Sequence, residues 1–178
     1  MALELHGTTG VSLVQDGAGM PPGTPLQVVS VHKSDTFSYY GLAFYDVTGL
    51  SVSITPSSTS SKILVTGQIN VGGTGDFIYM RLLRGSTAIN VGDAASNRPL
   101  ITGMNPVVGG SMTYGMEPIP ICFLDSPSTT SATTYKIQMR SGSSGSNTVY
   151  VNRTHIDRDA ADYEPRAASS LTLMEIAQ

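Results

Sequence analysis

Residues 50–71 read LSVSITPSSTSSKILVTGQINV, and no helix can be written through them. Leu50, Val52 and Ile54 alternate with Ser51, Ser53 and Thr55, the period-two pattern of a strand with one buried face. Pro56 ends that pairing, because it has no N–H to give to a ladder. Five Ser/Thr residues, Ser57 to Ser61, cross the gap before Lys62 opens a second, more apolar run. The two runs read as an antiparallel unit of a β-sandwich.

The same rhythm continues on both sides. Strand candidates are 26–33, 43–47, 50–55, 63–71, 77–84, 87–91, 112–114, 119–124, 134–140, 148–152 and 171–176, separated by Gly, Ser, Asn, Asp and Pro clusters. Spacings of about ten residues predict a single all-β antiparallel sandwich, jelly-roll-like, over residues 26–178. Tyr135, Ile137 and Met139 alternate cleanly with Lys136, Gln138 and Arg140. The strand 77–84 is partly apolar on both faces, which suits a central position or a subunit contact. The only helical candidate is a turn within 157–163. Residues 92–111, GDAASNRPLITGMNPVVGGS, form a long Pro/Gly-rich loop of the kind that carries function in sandwiches.

Residues 1–25 read as an extended arm. Gly7, Gly10, Gly17, Gly19, Pro21, Pro22, Gly23 and Pro25 break it too often for a regular element. Leu3, Leu5, Val11, Leu13 and Val14 supply apolar anchors able to lie on another protein. The first ten residues have no basic segment and no long apolar core, so a secretory leader is not expected. No apolar run approaches the ~18 residues of a membrane span.

Only 13% of the 178 residues are charged, against about 25% in average globular chains. So neutral a surface suits a protein packed in an assembly. A net charge of −3 supplies no basic field, which removes the main attraction for nucleic acid. The single cysteine, Cys122, lies in the apolar run 119–124 and is expected to be a buried small hydrophobe.

Four segments, in order, carry a family resemblance. ITPSSTSSKILVTGQINVGG (54–73) resembles a phrase in terminal domains of tailed-bacteriophage fibres, especially of aquatic phages. GTTGVSLVQDGA (7–18) is similar to the linker that precedes such domains. TTYKIQMRSGSSGSNTVYVNR (133–153) resembles their penultimate hairpin, and RAASSLTLMEIAQ (166–178) their closing strand. The resemblance implies a virion structural protein, trimeric, made in the bacterial cytoplasm and displayed on a tail or capsid surface. It begins within ten residues of Met1, so no shaft is expected. A short tail fibre docking by residues 1–25 and recognising a host-surface polysaccharide is therefore expected, with a capsid or tail decoration protein as the alternative. A secreted trimer of the tumour-necrosis-factor type is a distant third.

Catalytic signals are thin. His6, His32 and His155 are mutually remote, and Gly142-Ser143-Ser144-Gly145 reads as a hairpin turn, not a nucleophile elbow. Gly72, Gly73 and Gly75 follow a strand but precede no helix, so they are no phosphate-binding loop. Neither an enzyme nor a cofactor is expected. Asn152-Arg153-Thr154 matches a glycosylation sequon, a frequent chance string.

Four candidate sets remain. Asp157, Asp159 and Asp162 could offer oxygens to Ca²⁺, though Arg158 and Arg166 could neutralise the same charges in a solvated loop. Asn97, Arg98, Tyr114, Asp157, Asp159 and Tyr163 are candidate glycan-facing residues, since aromatic rings stack on sugars while polar side chains hold hydroxyls. Tyr39, Tyr40, Phe44 and Tyr45 form the densest aromatic group, expected to fill core and subunit contacts, with a binding face as the alternative. Leu171, Leu173, Met174 and Ile176 make the closing strand apolar on both faces, which places it against a neighbour at a threefold interface.

Overall fold

The computed structural model describes residues 20–74, 77–106, 114–142 and 147–178. The arm anchors Leu3, Leu5, Val11, Leu13 and Val14, most of the candidate strand 112–114, Gly75 and the turn at 143–146 lie outside these residues. Eleven strands are present: β1 (Pro25–Lys33), β2 (Phe37–Tyr40), β3 (Tyr45–Ile54), β4 (Lys62–Gly73), β5 (Phe77–Arg84), β6 (Thr87–Ile89), β7 (Gly103–Pro106), β8 (Glu117–Asp125), β9 (Thr133–Ser141), β10 (Thr148–Val151) and β11 (Ser169–Ile176). No helix occurs among the described residues, and residues 161–163 form a turn.

The strands form two antiparallel sheets. The first runs β1-β11-β4, with β8 on the far edge of β4 and β10-β2 continuing β11 and β1 beside the end of β4; the second runs β3-β9-β5-β6, with β7 also on β5. Strands from the start of the chain thus pair with strands from its end: β1 with β11, β3 with β9, β4 with β8. That is a long hairpin rolled into a sandwich, the jelly-roll connection.

The alternations in the sequence set the core. Leu50 and Ile54 of β3, Ile63, Val65, Ile69 and Val71 of β4, Tyr135, Ile137 and Met139 of β9, and Leu171 and Leu173 of β11 meet between the sheets, each 0–2% exposed. β5 is central in its sheet, with Ile78, Met80 and Leu82 facing inward.

Several expectations change. The runs 50–55 and 63–71 do not pair with each other. β3 pairs β9, while β4 pairs β8, β10 and β11 in the opposite sheet. A seven-residue connection containing buried Pro56 is too long for a tight hairpin and crosses the end of the sandwich instead. Likewise β9 and β10 lie in opposite sheets and form no hairpin pair. The candidates 43–47 and 50–55 fuse into one strand whose register slips between Asp46 and Ser51, where Gly49 takes φ +86°. Within the long loop, residues 103–106 form an extra strand on β5, and 37–40 another on β10.

Cys122 is exposed, not buried. β8 is apolar on both sides, and its pleat turns Ile119 and Ile121 inward and Pro120, Cys122 and Leu124 outward. Tyr40 and Tyr45 are 61% and 54% exposed, so the aromatic group does not fill the core.

Candidate functional site

The loop between β10 and β11 carries most of the charged side chains expected to act. Its base is closed by Asn152, fully buried at φ +62°. The Asn152 amide donates to Lys33 O (2.8 Å) and Asp35 O (3.0 Å) and its carbonyl accepts from Ser169 Oγ (2.6 Å), so the sequon asparagine is sealed inside. Gly72 has no Cβ because one would sit 2.6 Å from Arg153 O, and this lets the loop lie against β4.

Above that base the loop is held by ion pairs. Asp157 meets Arg166 at 2.8 Å and Arg153 at 3.3 Å. Glu164 is buried and accepts from Thr154 Oγ1, Asp157 N (3.1 Å) and Arg158 Nε (3.3 Å). The Thr154 hydroxyl, against the opposing effect of burial and with help from Arg158, holds its carboxyl below the ordinary range. Tyr114 and Tyr163 are 6.0 Å apart, both exposed, with the Arg158 guanidinium 5.4 Å from the Tyr114 ring. Asp157, Asp159, Arg158, Glu164 and Arg166 line a depression of about 410 Å³.

Tyr114, Asp157, Asp159 and Tyr163 are therefore brought to one place. Asn97 and Arg98 are not. They lie between β6 and β7 on the second sheet, and no hydrogen bond, ion pair or ring contact among the described residues joins them to the loop. The Ca²⁺ reading loses Asp157 to two arginines, and no group of three His, Cys, Asp or Glu among the described residues is arranged to hold a metal.

The closing strand divides its residues. Leu171 and Leu173 are fully buried in the chain's own core and have no surface left for a neighbour. Met174 and Ile176 are only half-buried, because the pleat turns them outward. Register continues the outward set across four strands in three rows: Val28–Met174–Leu64–Leu124, Ser30–Thr172–Thr66–Cys122 and His32–Ser170–Gln68–Pro120. None of these positions holds Asp, Glu, Lys or Arg. Val28 and Leu124, at the ends of the apolar row, are 54% and 52% exposed. Val28, Leu64 and Leu124 are residues that sequence reasoning missed, because only the register aligns them.

No protein-family model matches the chain, and no curated protein matches it. Solved structures give a distant likeness. The structure of infectious bursal disease virus Gx strain is 12% identical at a TM-score of 0.41, aligning 86% of this chain with 38% of that one. The crystal structure of the infectious bursal disease virus VP2 subviral particle is 12% identical at 0.40, aligning 87% with 42%. This chain spans about two fifths of the length of those chains. So slight a likeness carries no inference about function.

Proposed function

We propose that this chain is a virion structural protein, a short tail fibre of a tailed phage that assembles as a homotrimer and recognises a host-surface polysaccharide. The observation that carries the reading is the three charge-free rows on the outer face of the first sheet, the most apolar being Val28–Met174–Leu64–Leu124, with Lys62 beside Ile176 as the charge at their edge. Its occupant is a second copy of the same chain. A face without like charges can lie around a threefold axis against two copies of itself at no electrostatic cost, and a charged partner would gain nothing there. Apolar side chains left half-exposed on a flat sheet are stabilised by covering, at roughly 25 cal/mol per Å². The resemblance of residues 7–18, 54–73, 133–153 and 166–178 to fibre-terminal domains supports the phage assignment, and jelly rolls serve widely in capsid and lectin domains.

In this reading residues 1–25 dock to another virion protein, and the Tyr114–Tyr163 loop faces outward. A decoration protein that clamps the particle without binding the host is the second reading, favoured by the same neutral face. Adsorption separates them. Purified protein at micromolar concentration should block adsorption of the phage that carries it, and a chain lacking residues 1–22 should remain a folded trimer but fail to join particles. Unimpeded adsorption, with the protein present on the capsid, would establish the decoration role instead.

A further inference from the structure

The outer face of the second sheet carries chemistry opposite to that of the first. Two guanidiniums lie against the Phe44 ring, with Arg81 Cζ 3.8 Å and Arg140 Cζ 5.2 Å from its centroid. Arg140 also lies 4.8 Å from the Tyr79 ring. Register creates this cluster: Tyr79 faces Arg140 and Arg81 faces Gln138 across β5 and β9, while Gln138 faces Asp46 across β9 and β3.

Among the described residues, the charge of these two arginines is unanswered. Arg81 Nε donates to Leu100 O at 2.6 Å and Arg140 donates to Ser141 O at 3.0 Å, both neutral carbonyls. Among the described residues no carboxylate lies within ion-pair distance of either, whereas Arg84, Arg153, Arg158 and Arg166 each have one. The nearby Asp46 is committed to Lys136 (2.6 Å) and Gln138 (2.7 Å). Burial first, and then the charge of Arg140, lower the pKa of Arg81, and an arriving anion would offset the repulsion between the two guanidiniums.

Beside the arginines opens a cleft of about 370 Å³ lined by Phe44, Tyr45, Asp46, Thr48 and Gln138, toward the small end of ligand-site volumes. Tyr45, 54% exposed, pairs with inward-facing Met139 and stacks face to face on Tyr39 of the first sheet at 4.8 Å and 9°, so it walls the cleft at the strand edge, on the side away from Asp46 and Gln138. The cleft therefore has an aromatic wall at the strand edge, an amide and a carboxylate bonded to each other at its rim, and two guanidiniums beside its Phe44. Aromatic plates with planar polar groups suit sugar rings, and the guanidinium fork suits an oxyanion.

We infer that this face binds an acidic saccharide, with the anionic substituent on Arg81 and Arg140, the sugar lying along Phe44 into the cleft whose edge Tyr45 walls, and hydroxyls on Thr48 and the amide oxygen of Gln138. The inference rests on the host-surface reading and moves the ligand site from the loops to the second sheet. The substituent's shared chemistry is an oxyanion, which a sugar carboxylate or a phosphate can supply.

The test is titration of the full chain with trigalacturonate, maltotriose and inorganic phosphate, followed by calorimetry or by tyrosine fluorescence. Saturable binding of trigalacturonate is expected, weakened about tenfold or more by Arg140→Gln and by Tyr45→Ala, and reduced by added salt. Arg81→Gln serves as a third variant, because Arg140→Gln and Tyr45→Ala leave the bond to Leu100 intact. Equal binding of maltotriose would overturn the anionic requirement. Binding of inorganic phosphate as tight as that of trigalacturonate would overturn the saccharide assignment. No binding of trigalacturonate, or binding unaffected in folded Arg140→Gln and Tyr45→Ala, would overturn the site. These titrations use purified protein, so their failure leaves the adsorption test standing, and failure to block adsorption leaves saccharide binding standing.

Discussion

Glu175 holds Ser57: one oxygen of its carboxylate accepts both the backbone N–H and the hydroxyl of Ser57, each at 2.7 Å. The other oxygen accepts Gln27 Nε2 at 2.5 Å. A fully buried acid on the last strand thus ties down the polar connection between β3 and β4 and the start of β1. Replacing Glu175 by Ala leaves these donors without a buried acceptor, so Glu175→Ala should lose about 2–4 kcal/mol in urea unfolding. Glu175→Gln turns an amide N–H₂ toward one of the donors and should lose about 1–3 kcal/mol. A loss below about 0.5 kcal/mol for both would contradict the role assigned to this carboxylate.

The same group gives stability a pH dependence. Burial raises the Glu175 pKa, but the bonds from Ser57 and Gln27 outweigh it and the net shift is downward. The carboxyls of Asp46, held chiefly by Lys136, and of Glu164, held chiefly by Thr154, shift the same way. A carboxyl whose folded pKa lies below its unfolded value of about 4.3 stabilises the fold above that pH. That contribution is lost as pH falls through the folded pKa. Unfolding free energy should therefore be flat from pH 7 to about 5 and fall below it, less steeply in Glu175→Gln. An equal acid slope in wild type and Glu175→Gln would show that Glu175 is not among the responsible groups.

Tyr135 is fully buried, and its hydroxyl donates to Asp125 Oδ2 at 2.6 Å, while Arg84 reaches both oxygens of that carboxylate at 2.9 Å. Burial first and Asp125 second push the phenol pKa well above its ordinary value, so it stays a donor at any working pH. Tyr135→Phe removes one bond to a charged acceptor without opening a large cavity. A loss of about 1.5–3 kcal/mol is expected in chemical unfolding. Asp125→Ala should cost more, because it strands Arg84 as well. The reverse order would refute this account of the network.

The fold was largely legible because strand alternation is local. Leu50/Val52/Ile54 and Tyr135/Ile137/Met139 declared their inward faces within a few residues. Pairing was not legible, since β3 meets β9 some eighty residues away and nothing local names the partner. Cys122 was misplaced because Ile119 to Leu124 is apolar at every position, and only the pleat decides which side is covered. Glu175 gave no sign of burial, because its donors come from β1 and from the connection after β3. Residue types named Tyr114 and Tyr163 as candidates but not their approach to 6.0 Å, and Phe44 against Arg81 and Arg140 depended on two strand registers at once.

Cys122 reports on the neutral face directly. It is exposed in the single chain and sits in the row beside Leu124. In an assembly closed through this face the thiol should react with a maleimide slowly, and dilution or Leu124→Lys should speed the reaction about tenfold or more. Rapid labelling of the assembled protein would place the contact elsewhere.

The native mass of the purified chain at micromolar concentration tests the central claim most directly. The account predicts a particle of three times 18.7 kDa that falls to a folded single chain when Leu124→Lys and Met174→Lys place charges on the charge-free row. A wild-type mass of 18.7 kDa at that concentration would contradict it, as would a trimer that survives both substitutions.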